Sequence, residues 1–267
     1  MTMDLLKNPH QMFDISGNVA VITGATGAFG SVAARILSGA KCKLVLAGGN
    51  QTALAAIAEE LKQDGAEVCT VNLRPNSPEN CQAIIDAALA SFSRLDILVV
   101  ASGMNDVSPI GDMSLERFEN VMQANVTDSW LMAQAAGKQM IAQGQGGKVV
   151  LVSSARGKLG HPNGYSAYCS SKHAVNGITR ALGCEWGKEG ITVNALAPTV
   201  FRSDLTAWMF ADDERGKSTR EGMLARIPIG RLGEPEDLAG PLLFLVSRAS
   251  DFHTGHTLYA DGGYTAG

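Results

Sequence analysis

Short apolar runs alternate along this chain with stretches whose apolar residues recur at helical spacing, and no other feature constrains the fold as much. The runs are VAVIT and KLVLA, then those inside AEVCTVN, LDILVVA, GKVVLVSS, ITVNALA and GHTLYADGG. Helical spacing covers 31–37, 52–61, 79–92, 115–141, 167–186 and 235–246. A short run that is apolar at consecutive positions, not alternating ones, fits a strand buried on both faces. Such strands, each followed by a helix, predict an α/β architecture: a doubly wound parallel sheet flanked by helices on both faces. No composition break and no solenoid-length repeat interrupts residues 1–267, so one domain is expected. The segment 203–227, between the sixth strand and the next helix, is long and mixes charge with exposed-looking Trp208, Met209 and Phe210. A long insertion at the carboxyl end of a strand is where a lid over a ligand belongs.

Composition narrows the function. The chain is 45% hydrophobic and 18% charged, the balance of a folded globular protein, and its formal charge of −4 comes with no basic run, which argues against nucleic acid. Cys42, Cys69, Cys81, Cys169 and Cys184 are odd in number and none are paired as C-x-x-C. They read as reduced, mostly buried residues, with no metal site expected. Asp4, Lys7 and Pro9 interrupt the N-terminal segment as a leader, and runs such as ILVVA and LLFLV are too short to span a bilayer. A cytoplasmic protein without membrane contact is expected.

The first strand ends in TGATGAFG, 23–30, and a helix follows. Glycines at such a turn let the backbone approach a diphosphate, whose charge meets the amides and dipole of the helix start. In the first βαβ unit this predicts dinucleotide binding of the Rossmann type. The second strand ends in LAGGN, 46–50, where the adenine ribose lies. Gly48 and Gly49 stand where an acid would hold the ribose hydroxyls or an arginine would attract a 2′-phosphate. NADP needs its extra charge compensated, so both cofactors are expected to bind with a modest preference for NAD. Lys41 or Arg74 are the cations that could reach the phosphate from neighbouring strand ends.

Ser153 and Ser154 end the fifth strand, on the sheet edge that also carries the glycine turn. Tyr168 and Lys172, in AYCSSK, stand at i and i+4 on one face of the next helix. Tyr165 lacks that relation to Lys172 and reads as pocket wall.

Here the chain resembles the short-chain dehydrogenase/reductase family in its compact single-domain branch. The resemblance rests on TGATGAFG, LDILV with its following SG, the asparagine of MQANVTDSW, VSS, YCSSK, ITVNALAPT, RLGEPEDLA and TGHTLYADGG. It implies that Tyr168 exchanges the proton of the substrate hydroxyl. It implies that Lys172 binds the nicotinamide ribose and lowers the tyrosine pKa from about 10. Ser154 would orient the substrate oxygen, and Asn125 would hold a water linking Lys172 to solvent. Gly24, Thr26, Phe29, Gly30, Gly49, Asn50, Asn72, Leu73, Ala101, Ser102, Gly103, Tyr168, Lys172, Pro198, Val200 and Ser203 would line the cofactor. Ser154, Arg156, Tyr165 and Tyr168 would meet the substrate; from its position two residues after Ser154, Arg156 is the first partner if that substrate carries a carboxylate. The resemblance further implies a homotetramer.

Three departures stand out. Ala28 replaces the middle glycine of the turn. VASG, 100–103, replaces a segment that normally carries two bracing amides, so other groups must satisfy that backbone. Pro198-Thr199 replaces Pro-Gly, with Ser203 in place of a threonine that binds the carboxamide. The polar residues expected at the pocket, among them Asn105, His161, Asn163, Arg202 and Trp208, suit a hydroxylated small molecule such as a sugar, polyol or sugar acid. The alternatives are a 3-oxoacyl thioester reductase and a dinucleotide-sensing protein without catalysis.

Overall fold

Successive residues of a strand face opposite ways, so a run apolar at every position feeds two cores at once. The computed structural model, which describes residues 2–267, is built on this. In chain order it has α1 (Thr2–Lys7), β1 (Val19–Thr23), α2 (Ala28–Gly39), β2 (Lys43–Ala47), α3 (Gln51–Gln63) and β3 (Val68–Val71). There follow α4 (Pro78–Phe92), β4 (Ile97–Val100), α5 (Leu115–Met122), α6 (Asp128–Gln143), β5 (Gly147–Val152) and α7 (Ser166–Trp186). The chain closes with β6 (Ile191–Pro198), α8 (Glu214–Leu224), α9 (Ala239–Val246) and β7 (Thr257–Ala260).

The strands form one parallel sheet in the order β3-β2-β1-β4-β5-β6-β7. Ala20, Ile22, Leu44, Leu46, Ile97 and Val99 pack on one face against α2, α3 and α9. Their neighbours Val19, Val21, Val45, Leu98 and Val100 pack on the other against α4, α6 and α7. The order reverses between β1 and β4, and such a reversal opens a crevice at the carboxyl ends of the strands.

Helix starts differ in a way that bears on function. A side chain caps α3 (Asn50), α4 (Ser77), α5 (Ser114) and α8 (Asp213). Gly27 opens α2 with no side-chain cap, which leaves first-turn amides facing the crevice.

The single helix expected over 115–141 is two helices joined by a π turn at Gln123–Thr127. Segment 203–227 holds a 3-10 turn, Ala207–Phe210, and α8. Trp208, Met209 and Phe210 are half-buried, not exposed: Arg202 covers the Phe210 ring at 3.9 Å and Arg215 covers Trp208 at 4.2 Å. No described helix is long and apolar enough to cross a membrane.

Candidate active site

The crevice begins at Gly24, whose φ of 64° is left-handed backbone. A Cβ there would stand 2.6 Å from the Ser102 amide, and one at Gly30 would run into the Gly24 carbonyl. These two glycines let α2 and the β4 end close on the β1 end. The floor they make, together with the uncapped start of α2, has the shape and the donors that a dinucleotide diphosphate requires. Phe29 turns into the core, so only its backbone is available there. Thr26 stands across from Gly48, where a Cβ would lie 3.7 Å from the threonine hydroxyl.

Past β4, the backbone that lacks its usual amides is held in other ways. Ala101 donates to the Thr23 carbonyl at 3.1 Å, and the Thr23 and Ser102 hydroxyls share a hydrogen bond of 3.1 Å. Asn125, fully buried in the π turn, accepts from the Met104 amide at 2.7 Å. Its own amide donates to the Met104 carbonyl and to Ser171 Oγ, each at 2.9 Å. The Asn125 side chain is thus a clamp on Met104. Gly103 lies between it and Lys172, since a Cβ there would stand 2.7 Å from Asn125 Oδ1 and 3.8 Å from Lys172 Nζ.

On α7, the Lys172 ammonium donates to the Val152 carbonyl at 2.8 Å and sits 5.6 Å from the Tyr168 ring centre. Burial pushes its pKa down from 10.5 to about 8. Burial also raises the Tyr168 phenol above its ordinary value, while hydrogen bonding with Ser154 and the charge of Arg156 pull it down. The lowering that the resemblance implies for Lys172 is not among these influences. Ser153 points away under α7, its hydroxyl donating to the Lys172 carbonyl at 3.4 Å. Ser154 is therefore the serine that meets the tyrosine.

Tyr165 stands at the start of α7, 6.4 Å from the Tyr168 ring and 4.4 Å from His161. With His161, Asn163, Ser166 and Cys169 it lines a cavity of about 780 Å³. Arg156 is engaged within the protein: it donates to the Gly160 carbonyl at 3.0 Å and to the Tyr264 hydroxyl at 2.9 Å. Arg202 pairs with Glu234 at 2.9 Å.

The remaining expected cofactor residues lie along the same edge without forming one shell. Asn50 caps α3 through the Ala53 amide at 3.0 Å. Asn72 is exposed beyond β3, and Leu73 packs against the second core. Pro198 ends β6, and the Val200 carbonyl accepts from Gly233 at 3.0 Å. The Ser203 hydroxyl is occupied by Thr206 Oγ1 at 2.9 Å. Sequence reasoning missed Thr206, which carries no motif signal, and Ser171, which stands inside YCSSK. It noted Arg74 without its contact. A Cβ on Gly49 would lie 2.5 Å from Arg74 Nε, so the arginine from the β3 end lies across the β2 end. Among the described residues no carboxylate forms an ion pair with Arg74.

A family model described as Enoyl-(Acyl carrier protein) reductase matches residues 24–265. An uncharacterized oxidoreductase of Mycobacterium tuberculosis is 53% identical, over 95% of this chain and 93% of its own length. The 2-dehydro-3-deoxy-D-gluconate 5-dehydrogenase of Escherichia coli is 35% identical, over 95% of this chain and 98% of its own. The crystal structure of a gluconate 5-dehydrogenase from Burkholderia cenocepacia, in complex with NADP and tartrate, superposes with a TM-score of 0.88 at 30% identity, covering 96% of this chain and 98% of that one. The parallel sheet with its glycine turn, the Ser154, Tyr168 and Lys172 grouping and these likenesses agree: the chain belongs to the short-chain dehydrogenase/reductase family, nicotinamide-dependent oxidoreductases acting on CH–OH groups.

Proposed function

We propose that the protein interconverts a secondary alcohol and a ketone on a sugar, polyol or sugar acid. The observation that carries this is the meeting of Ser154, Tyr168 and Lys172 at the same sheet edge as the uncapped α2 start. Bound along that edge, the nicotinamide supplies the acceptor or donor of hydride. Tyr168 Oη takes the hydroxyl proton of the alcohol, or returns it to the ketone oxygen. Ser154 Oγ fixes that oxygen beside the phenol and stabilises its developing charge. Lys172 has the position to bind the nicotinamide ribose, and its ammonium then favours the tyrosinate. Asn125 is assigned a water link from Lys172 to solvent in addition to its clamp on Met104. Segment 203–227 is read as the lid. The sugar-acid dehydrogenases among the relatives, and the tartrate held by one of them, support a hydroxylated substrate.

The sequence leaned to NAD because Gly48 and Gly49 offer no cation. Arg74 supplies one across Gly49, which supports NADP as the better cofactor, with NAD still accepted. Exposed Leu115, Trp130 and Ile141 on α5 and α6 support a homotetramer, read by light scattering. The five unpaired cysteines support a reducing, cytoplasmic setting.

The test is a screen of polyols, sugar acids and 3-oxoacyl esters with NAD and NADP, following nicotinamide absorbance. Turnover of a polyol or sugar acid is expected. Turnover confined to 3-oxoacyl esters would overturn the substrate class.

A further inference from the structure

The C-terminal segment returns to the catalytic edge and buries Tyr264 to 4% exposure against Ala155, Ile227 and Leu232. Two arginines close over that ring. Arg156 reaches it from the β5–α7 loop, its Cζ 5.4 Å from the ring centre and one Nη 2.9 Å from the hydroxyl. Arg226 reaches it from the end of the 203–227 segment, its Cζ 4.5 Å from the same centre. The surface arginines Arg94, Arg117, Arg202 and Arg231 each hold a carboxylate. Among the described residues, neither Arg156 nor Arg226 has one. Two guanidinium groups on one ring, without a counter-charge, make a site that attracts an anion.

Arg156 is joined to the reacting groups. The Arg156 amide donates to Ser154 Oγ at 3.2 Å, so its side chain starts beside the group that meets the substrate oxygen. The charge of Arg156 is felt at Tyr168, and the charges of both arginines are felt at His161 in the wall of the neighbouring cavity. Arg156 thus connects the arginine pair to the groups that meet the carbinol.

We propose that Arg156 and Arg226, fixed on the Tyr264 ring, form the carboxylate subsite of the active site, so that the substrate is a hydroxylated monocarboxylate of the aldonate type. This rests on the sugar-type reading above and narrows it. Gly160 and Tyr264 already engage both terminal nitrogens of Arg156, and a planar guanidinium matches the two oxygens of a carboxylate; a phosphate is the alternative that the test separates. Arg226 also belongs to the expected lid, so anion binding and lid position are coupled through one side chain.

The test compares D-gluconate, D-glucitol and D-glucitol 6-phosphate on the wild type, Arg226→Ala and Arg226→Lys, by kinetics and by calorimetry with NADP present. Loss of a charge-assisted contact predicts that Arg226→Ala raises KM and Kd for gluconate about tenfold or more. The values for glucitol, which lacks the carboxylate, should change several-fold less than those for gluconate, an unchanged circular dichroism spectrum shows that the variant is folded, and Arg226→Lys should recover part of the loss. Equal effects on gluconate and glucitol, a preference for glucitol 6-phosphate over gluconate, or no gluconate binding to the wild type would each overturn the subsite. If no sugar compound is turned over, the proposed function falls, while the calorimetric loss in Arg226→Ala still decides the subsite.

Discussion

Replacing Lys172 by methionine should make the protein more stable while it destroys the site. The lysine is 5% exposed, and its ammonium has a carbonyl, not a carboxylate, as partner. Burial holds its pKa at about 8, where the unfolded chain has about 10.5. At about 1.4 kcal/mol per pH unit, keeping this group charged in the fold costs about 3 kcal/mol. Methionine fills a similar volume without charge, but it leaves the Val152 carbonyl short of a donor, which takes back about 1 kcal/mol. A net gain of about 2 kcal/mol is expected. The sign follows from proton binding. Between about pH 8 and 10.5 the unfolded state holds more protons than the folded one, so wild-type stability rises with pH across that window. The methionine variant should therefore lead by its full margin below about pH 8 and lose the lead as pH climbs towards 10.5. Urea unfolding at fixed protein concentration, from about pH 6 to 10, reads this directly. A variant less stable than wild type at the acid end, or a difference flat in pH, would refute the reasoning.

Tyr168→Phe should cut kcat/KM by about 10²–10⁴ with cofactor affinity nearly unchanged, while Tyr165→Phe keeps most activity; the reverse pattern would reassign the base. Arg74→Ala should lower kcat/KM with NADP about tenfold and leave NAD within about twofold, since an exposed cation a few ångström from a phosphate contributes about 1 kcal/mol or slightly more. Equal losses with both cofactors would remove Arg74 from the ribose end. Gly24→Ala combines a left-handed φ of 64° with a Cβ 2.6 Å from the Ser102 amide, so cofactor binding by fluorescence titration should weaken at least about tenfold and stability should fall by about 1 kcal/mol or more.

The inner strands β1, β2, β4 and β6 were legible because they are buried on both faces, as in VAVIT; the edge strands β3 and β7 are only partly buried and were carried by the alternation of the elements. The break between α5 and α6 was not. A π turn adds one residue without changing composition, and apolar spacing continues on both sides of it. Tyr168 and Lys172 could be read from local spacing. The work of Asn125 could not, since its partner Met104 lies 21 residues away and is reached only once β4 and the π turn are packed. Arg156 and Tyr264 are 108 residues apart, and no local pattern announces that they meet or that Arg226 joins them. Arg74 was visible as a cation, but its place across Gly49 needed β2 and β3 side by side.

An α-helix advances about 100° per residue, so the extra residue at Gln123–Thr127 re-times one rod into two that are out of phase. On the far side, Met132 and Met140 are set for the sheet; within the turn, Asn125 is set for Met104. Deleting a residue there would restore an unbroken rod, and one of the two settings would swing away by about a quarter turn. The turn works as a gear coupling: the angular register of the core and that of the active edge can change only together, so this linkage resists insertions and deletions far more than it resists substitutions.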